Sequence, residues 1–513
     1  MESAISTRRA PGPTRLAALR ARWSRSLRGR RLRGWPAAGL AVLCIGALAG
    51  YLAFPTYPTY DSFYALLWGR DLLHLHLPDF RVYRGPTEHP LAIAFGALCS
   101  IFGDGGARLM VLGSIASFVA AVAGLYRLGR LCFGPVVGVL AALLLLSRFF
   151  VENLAAQGYL DISYVALVVW AIVLEVERPR RGTAVFVALA AAGLLRPDAW
   201  VLSGVYWLWC LPGASNRRRL AYLALAASAP LIWVSLDAIV TGNPLYSLTA
   251  TAGLAQELER TQGLSAVVSS VWTFTERIDK LPVMLGALVG IPLAVWMAPR
   301  RAAVPLVATA LLYLVFLAEG AVGASLIDRY LLGGATVLLL FCAVFLGGWS
   351  MLLRGSWARR LWIAGAAALL AYGVASAANT LSLSSLRNTL AYHEEFHKGL
   401  AEALRQPQVA SELRRCKLLS LPNNKLIPDA RWILGSYGQH DIVARSQARA
   451  DVGKGSHALE DRIRAGSVAV YPLSSAIFFE AIVDVGDDPR DQVPMTGFKR
   501  IYANRWYAVY ANC

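Results

Sequence analysis

An all-α polytopic membrane domain followed by a small extracytoplasmic α/β or α+β domain is the architecture this sequence predicts, and three observations carry it. Of the 513 residues, 56% are hydrophobic and the mean hydropathy is +0.48, too apolar for a soluble chain of this size. Apolar stretches of roughly 15–20 residues recur up to position 380, separated by short arginine-bearing loops, which is the pattern of bilayer-spanning helices. Beyond residue 380 the apolar runs stop and short strand-like segments take over.

The formal charge of +18 does not indicate a nucleic-acid partner, because of where the charge sits. Ten arginines fall within residues 1–33 against a single acid, Glu2. A basic segment just ahead of an apolar run is a cytoplasmic tail (1–35) lying beside anionic lipid. The run at 36–54 is long and no small-residue cleavage site follows it, so it reads as a retained first helix rather than a signal peptide. The six lysines all lie after residue 279, and this arginine-dominated usage points to a GC-rich bacterial genome and hence a bacterial plasma membrane.

Arginine placement sets the topology. The clusters at 127–130, 178–181, 217–219, 300–301 and 354–360 are cytoplasmic by the positive-inside rule. Spans consistent with that are 36–54, 107–126, 135–151, 161–176, 182–195, 198–212, 218–238, 281–298, 302–318, 330–349 and 360–378, eleven in all, with the N-terminus inside and the C-terminus outside. Residues 182–212 must then hold a short helical hairpin, since a full crossing takes about 20 residues. The first outer loop, 55–106, carries the half-apolar stretches 61–77 and 89–102, expected to lie along the membrane surface. Residues 239–280 form a second long outer loop of mixed charge. The membrane domain is 36–380 and the extracytoplasmic domain 381–513. In the latter, KLLSLP, DIVARSQ, SVAVYPL and the pair KRIYAN/WYAVYANC read as strands, and DARWILGSY and 388–405 as helices. Cys44, Cys99, Cys132, Cys210 and Cys342 sit in apolar segments, which leaves Cys416 and Cys513 as the pair expected to form a disulfide.

Ionisable groups at apolar helix ends are costly and therefore suspect. This topology gathers Asp61, Glu88, His89, Arg148, Glu152, Asp161, Arg196, Asp328 and Arg329 on the outer side. Asp61, in TYPTYDSFYAL, is a rim carboxylate able to take a proton from a hydroxyl; capping a helix that starts at Ser62 is its alternative role. In TEHPL, Glu88 and His89 precede Pro90 at a helix start, where Glu88 also suits the helix dipole. Asp161, in YLDISYVAL, has the same two readings as Asp61. Arg196 in GLLRPDAW and Arg329 in IDRYLL are guanidinium groups that need an anion: a phosphate, or their neighbours Asp198 and Asp328. His74 and His76 are interfacial side chains.

AYHEEFHKGL, 391–400, contains His393, Glu394 and His397 in the H-E-x-x-H spacing of zinc hydrolases. Glu395 and Lys398, however, charge positions that a buried zinc helix leaves uncharged. Glu412, His457 and Glu460 offer a third ligand with nothing to choose among them. The helix 388–405 is expected to be a charged, exposed connector, and no metal is assigned to it.

Taken along the chain, the segments fall in a recognisable order. A first helix runs into Asp61, a surface helix follows, then HPL (89–91), FGDGGARL (102–109), YRLGRLCFGPVVGVLAALLL (126–145), Asp161, Arg196–Pro197 and RYLL (329–332). This order resembles the GT-C glycosyltransferases over roughly residues 36–350, and within them the protein mannosyltransferase-like superfamily (glycosyltransferase family 39-like) that includes bacterial lipid A aminoarabinose transferases. The resemblance implies a polyprenyl-phosphate-linked sugar donor, a lipid, glycan or protein acceptor, and transfer on the extracytoplasmic face with inversion. It makes Asp61 the general base and Asp161 the acid of the second outer loop. It puts Arg196 and Arg329 at the donor phosphate, with Glu88, His89, Arg148 and Tyr330 as further substrate-binding residues. Two departures leave the acceptor class open. Ser62 stands where many mannosyltransferases have Glu, and His89 where the aminoarabinose branch often has Lys. Metal-dependent relatives occur in the wider fold, so Asp61 and Asp161 are also candidate ligands for a divalent cation, though no cofactor is required. The absence of a nucleotide-binding glycine fingerprint fits a lipid-linked donor. The competing readings are a transporter or flippase of lipid-linked sugars, which no inverted repeat supports, and the zinc peptidase.

Overall fold

The structure, a computed structural model, describes residues 35–258, 263–323, 326–378, 383–435, 442–473 and 493–513; the basic tail lies outside them. Every one of the eleven expected spans carries a helix, from Trp35–Ala53 to Trp357–Ala378. Among the described residues, six helices are long and apolar enough to cross a bilayer unaided, and eight spans result if the two sharply bent pairs each count as one. The others fall short for visible reasons. Thr183–Gly193 and Asp198–Cys210 have 11 and 13 residues, and Leu160–Glu177 carries three acids, Asp161, Glu175 and Glu177. The chain is a multi-pass membrane protein.

Three expectations are corrected. The RLGR segment, 127–130, is not a loop: Gly106–Phe133 is one continuous helix, and Arg127 pairs with Glu177 of Leu160–Glu177. The stretch 239–280 is not an open loop either. It contains Tyr246–Glu257 and Leu264–Asp279, and the latter turns through 106° at Lys280 into Leu281–Met297. DIVARSQ is strand only over Ile442–Ala444, because ARSQARAD has no period-two alternation and continues as the helix Arg445–Gly453.

The first loop folds into the helices Tyr60–Leu73 and Pro90–Ser100. They cross where Gly69 faces Gly96 and Ala97; a Cβ on either glycine would run into the opposite backbone.

Among the described residues, the C-terminal domain holds a five-stranded mixed sheet, order β2-β1-β3-β5-β4, from β1 (Leu419–Leu421), β2 (Ile442–Ala444), β3 (Val468–Pro472), β4 (Lys499–Ala503) and β5 (Tyr507–Ala511). β1 runs parallel to β2 and β3, and β5 pairs antiparallel with β3 and β4. The helix Leu383–Arg405 is not the exposed connector expected: it buries Phe396, Leu400, Ala403 and Leu404 in this domain's core beside Val409, Leu413, Val470 and Tyr507. Its apolar residues recur at helical spacing, so it is charged on one face only. Cys416 and Cys513 are joined by a disulfide with Cα atoms 5.7 Å apart.

The domain sits on the first loop. Helix Ile427–Leu434 packs against Tyr60–Leu73, with the Arg70 guanidinium 5.3 Å over the Trp432 ring and the Tyr57 hydroxyl 3.2 Å from Asp429 Oδ1.

Candidate functional site

The two candidate acids are brought together by one turn. Gly158 has φ +73°, a left-handed value that favours glycine, and closes the loop between Phe149–Ala156 and Leu160–Glu177. Its carbonyl accepts the Ser62 hydroxyl at 2.6 Å, and the Gln157 carbonyl accepts the Thr59 amide at 2.9 Å. The start of Tyr60–Leu73 is thus fastened to the residues just before Asp161. Capping falls to Thr59, whose hydroxyl accepts the Ser62 amide at 3.3 Å. Asp61 therefore does not cap, and its side chain is left for other work.

That side chain meets Arg329. Arg329 Nη1 donates to Asp61 Oδ2 at 2.8 Å and lies 3.5 Å from Asp161 Oδ2. The other oxygen of Asp161 accepts from Arg196 Nη1 at 2.8 Å, and Arg196 Nη2 donates to Asp198 Oδ2 at 2.9 Å. The result is one alternating chain, Asp61–Arg329–Asp161–Arg196–Asp198. The Tyr330 ring centroid lies 4.1 Å from the Arg196 guanidinium and 5.9 Å from that of Arg329, and the Tyr159 ring lies 5.2 Å from Arg329. Arg196 is only 8% exposed, whereas Arg329 and Asp61 are half-buried and reachable. Burial alone would push the Asp61 carboxyl up; the Arg329 guanidinium outweighs it and holds the group below the ordinary carboxylate range.

Glu88 and His89 divide. His89 lies near the cluster, its ring set edge-on against Trp233, and its buried Nδ1 has no hydrogen-bond partner. Burial holds its imidazole below the usual histidine value, and hence neutral, despite nearby Asp61 and Asp161. Glu88 points away. Its Oε2 lies 2.7 Å from Ser247 Oγ, which also lies 2.7 Å from Asp237 Oδ1. One hydroxyl hydrogen cannot serve both contacts, so one of the two carboxyls carries a proton. Burial pushes Glu88 up to about 7.

Arg148 is outside the cluster. It stands at the N-cap position of Phe149–Ala156, donates to the backbone carbonyl of Asp279, and with Arg277 and Lys280 supplies the cations of a mostly apolar cavity of about 720 Å³. The helix Phe149–Ala156 runs from Arg148 toward the Gly158 turn that precedes Asp161. Arg277 also reaches Asp328 Oδ2 at 2.8 Å, next to Arg329, so cavity and cluster are neighbours.

Residues 88–236 match a family model described as dolichyl-phosphate-mannose-protein mannosyltransferase. No curated protein matches by sequence. Among solved structures, ArnT from Cupriavidus metallidurans bound to undecaprenyl phosphate superposes with a TM-score of 0.57, covering 94% of this chain and 98% of that one at 14% identity. The fold is that of the GT-C glycosyltransferases. The apo state of the same ArnT gives 0.53 at 12% identity, covering 93% and 98%. The apo oligosaccharyltransferase of Archaeoglobus fulgidus gives 0.50 at 12%, covering 94% of this chain and 75% of that one. At these identities the likeness is one of fold.

Within the GT-C fold, the H-E-x-x-H helix has a different set of contacts from a zinc site. His397 stacks on Tyr57 with ring centroids 3.5 Å apart and places Nδ1 3.1 Å from Asp429, while Glu394 pairs with Lys398 at 3.2 Å. His393 stacks on the same tyrosine, and burial holds its imidazole down at about 4. The motif therefore lies at the contact between the C-terminal domain and the extended segment leading to Asp61. Sequence reasoning missed this use, along with Ser247 and Asp237. The clue for Tyr57 was its place four residues ahead of Asp61.

Proposed function

We propose that this chain moves a sugar from a polyprenyl-phosphate-linked donor to an acceptor hydroxyl on the extracytoplasmic face. The observation that carries the reading is the Asp61–Arg329 pair: a reachable carboxylate, kept ionised, beside a guanidinium at the mouth of the membrane domain. Asp61 takes the proton of the acceptor hydroxyl as its oxygen bonds to the anomeric carbon. The bond from that carbon to the phosphate oxygen breaks, and its electron pair leaves with the lipid phosphate. Attack opposite the leaving group inverts the anomeric centre.

Positive charge on the leaving group is the other requirement, and Arg329 is suited to supply it. Arg196, buried between two carboxylates, is suited to hold Asp161, and through it Arg329, in place. The mostly apolar cavity beside Arg148, Arg277 and Lys280 neighbours the cluster through Arg277 and Asp328 and is of a kind that takes the donor's lipid tail. Asp61 and Asp161 both face Arg329, a neighbour that disfavours a second cation between them.

The test is reconstitution in liposomes with polyprenyl-phosphate mannose, arabinofuranose, glucose and aminoarabinose as donors. Release of polyprenyl phosphate from one of them, abolished in Asp61→Asn, is the expected result. Labelled donor that crosses the bilayer uncleaved would replace this reading by the transporter.

A further inference from the structure

The cluster is short of positive charge for the substrate assigned to it. Asp61, Asp161 and Asp198 stand against Arg196 and Arg329, three carboxylates to two guanidinium groups. A phosphodiester entering this site adds another negative charge. His89, kept neutral by burial, does not offset it.

The C-terminal domain places a cation here. β1 lies between β2 and β3 and is parallel to both; the chain leaves β1 for a strand on one side and returns to a strand on the other. The carboxyl end of a strand at such a switch of direction is where open sheets with parallel strands bind ligands. The residues leaving β1 at that end are Pro422, Asn423, Asn424 and Lys425. Asn423 fixes the turn by accepting the Lys425 amide at 3.0 Å. Asn424 Nδ2 donates to the Tyr60 hydroxyl at 3.2 Å, and Lys425 Nζ lies 5.7 Å from the centroid of the Tyr60 ring. Tyr60 immediately precedes Asp61. Asn424 is 2% exposed, and its buried Oδ1 has no hydrogen-bond partner, an acceptor left for a ligand hydroxyl.

We propose that this turn is the outer domain's arm of the substrate site, with Lys425 meeting the phosphate of the lipid-linked donor and Asn424 Oδ1 accepting a hydroxyl of its sugar. The assignment rests on the glycosyl-transfer reading above. It agrees with the electrostatics of Asp61: burial raises that carboxyl, Arg329 lowers it most, and Lys425 is a further positive charge that lowers it. It also gives the docking contacts of Tyr57, Asp429 and Trp432 a purpose, since they hold the turn over the helix that carries the base.

The experiment uses full-length protein in phosphatidylcholine nanodiscs and measures binding of undecaprenyl phosphate and of uncharged undecaprenol. Loss of a charge-assisted contact in Lys425→Ala is expected to weaken undecaprenyl phosphate about tenfold or more, with undecaprenol unchanged. Lys425→Arg should stay within about threefold of the unmodified protein, since it keeps the charge. Unchanged phosphate affinity in Lys425→Ala overturns the assignment. So does an equal loss for undecaprenol, which would mean that the domain has come off. Asn424→Ala is expected to weaken the sugar-bearing donor and leave undecaprenyl phosphate alone; equal weakening of both overturns the sugar contact. If Lys425→Ala loses phosphate affinity as expected while no polyprenyl-phosphate sugar is ever cleaved, the transfer reading falls and Lys425 stays a phosphate ligand.

Discussion

Asp61 and Glu88 are two carboxyls of the same loop, both largely enclosed, and their surroundings push them in opposite directions. Asp61 has a guanidinium 2.8 Å away and is held ionised. Glu88 has a serine hydroxyl and a second carboxyl, and burial drives it up to about 7. The desolvation is shared; the partner decides the charge. Two acids split in this way by their environment are suited to different jobs, the first to accept a proton at once and the second to hold one near neutral pH.

The largest effect expected is on Asp61. Asp61→Asn keeps size and hydrogen bonding but cannot accept the proton, so transfer should fall about 10²- to 10⁴-fold with lipid-phosphate binding kept. Glu88→Gln, which mimics the protonated form, should stay within about tenfold. A reversed order in a donor-saturated assay would break the contrast. Arg329→Ala comes next, with a loss of about a hundredfold, because it removes charge from the leaving group and leaves Asp61 buried without its partner. Burial then acts alone, so the acid limb of the pH–rate profile should move upward, and Arg329→Lys should move it part of the way back.

The pH profile sharpens the comparison with a smaller signal. In the proposed role Asp61 acts as the carboxylate, and its proton affinity is depressed, so transfer should persist as pH falls through the ordinary carboxylate range and fail only below it. A modest change in rate or donor affinity with a midpoint near pH 7 should belong to Glu88: absent in Glu88→Gln, still present in residual Asp61→Asn activity. A midpoint near 7 that vanishes with Asp61 instead would assign the raised group wrongly.

Domain docking is expected to be acid-sensitive in the opposite sense to a histidine that gains a partner. Folded His393 holds its proton only near pH 4, below the ordinary value of about 6.5. Its contribution to docking is therefore complete above about 6.5 and declines as pH falls toward 4, because the undocked imidazole takes the proton first. Hydrogen exchange across 427–434 should rise over that window, and less so in His393→Gln. The smallest effect on transfer should come from Cys416→Ser. Removing a bridge between residues 97 apart costs the domain about 4 kcal/mol in a denaturant titration, while Asp61 and Arg329 keep their geometry.

The membrane architecture was legible because its signal is local. A 20-residue apolar run is a helix whatever its neighbours do, since the bilayer leaves its backbone no other partner. The expected hairpin at 182–212 appeared as the two short helices Thr183–Gly193 and Asp198–Cys210. Arginine loops gave way where charge could be paired along a helix, as at Arg127 and Glu177. Asp161, Arg196 and Arg329 could be suspected singly, because an ionisable side chain at an apolar helix end needs a reason.

Their pairing was decided in three dimensions. The sequence left Arg196 and Arg329 each with a neighbouring acid or a phosphate to choose from. Folding gave Arg196 both Asp198 and Asp161, and gave Arg329 Asp61 from 268 positions away. It separated Arg148 from that group and turned Glu88 toward Ser247. It also took an apparent zinc motif and set it against Tyr57, with Asp429 as the partner of His397. Composition and periodicity determine which segments enter the membrane, because transfer free energy depends on the segment itself. Which carboxylate is charged depends on the distance to a cation from another helix, and only the packed structure sets that distance.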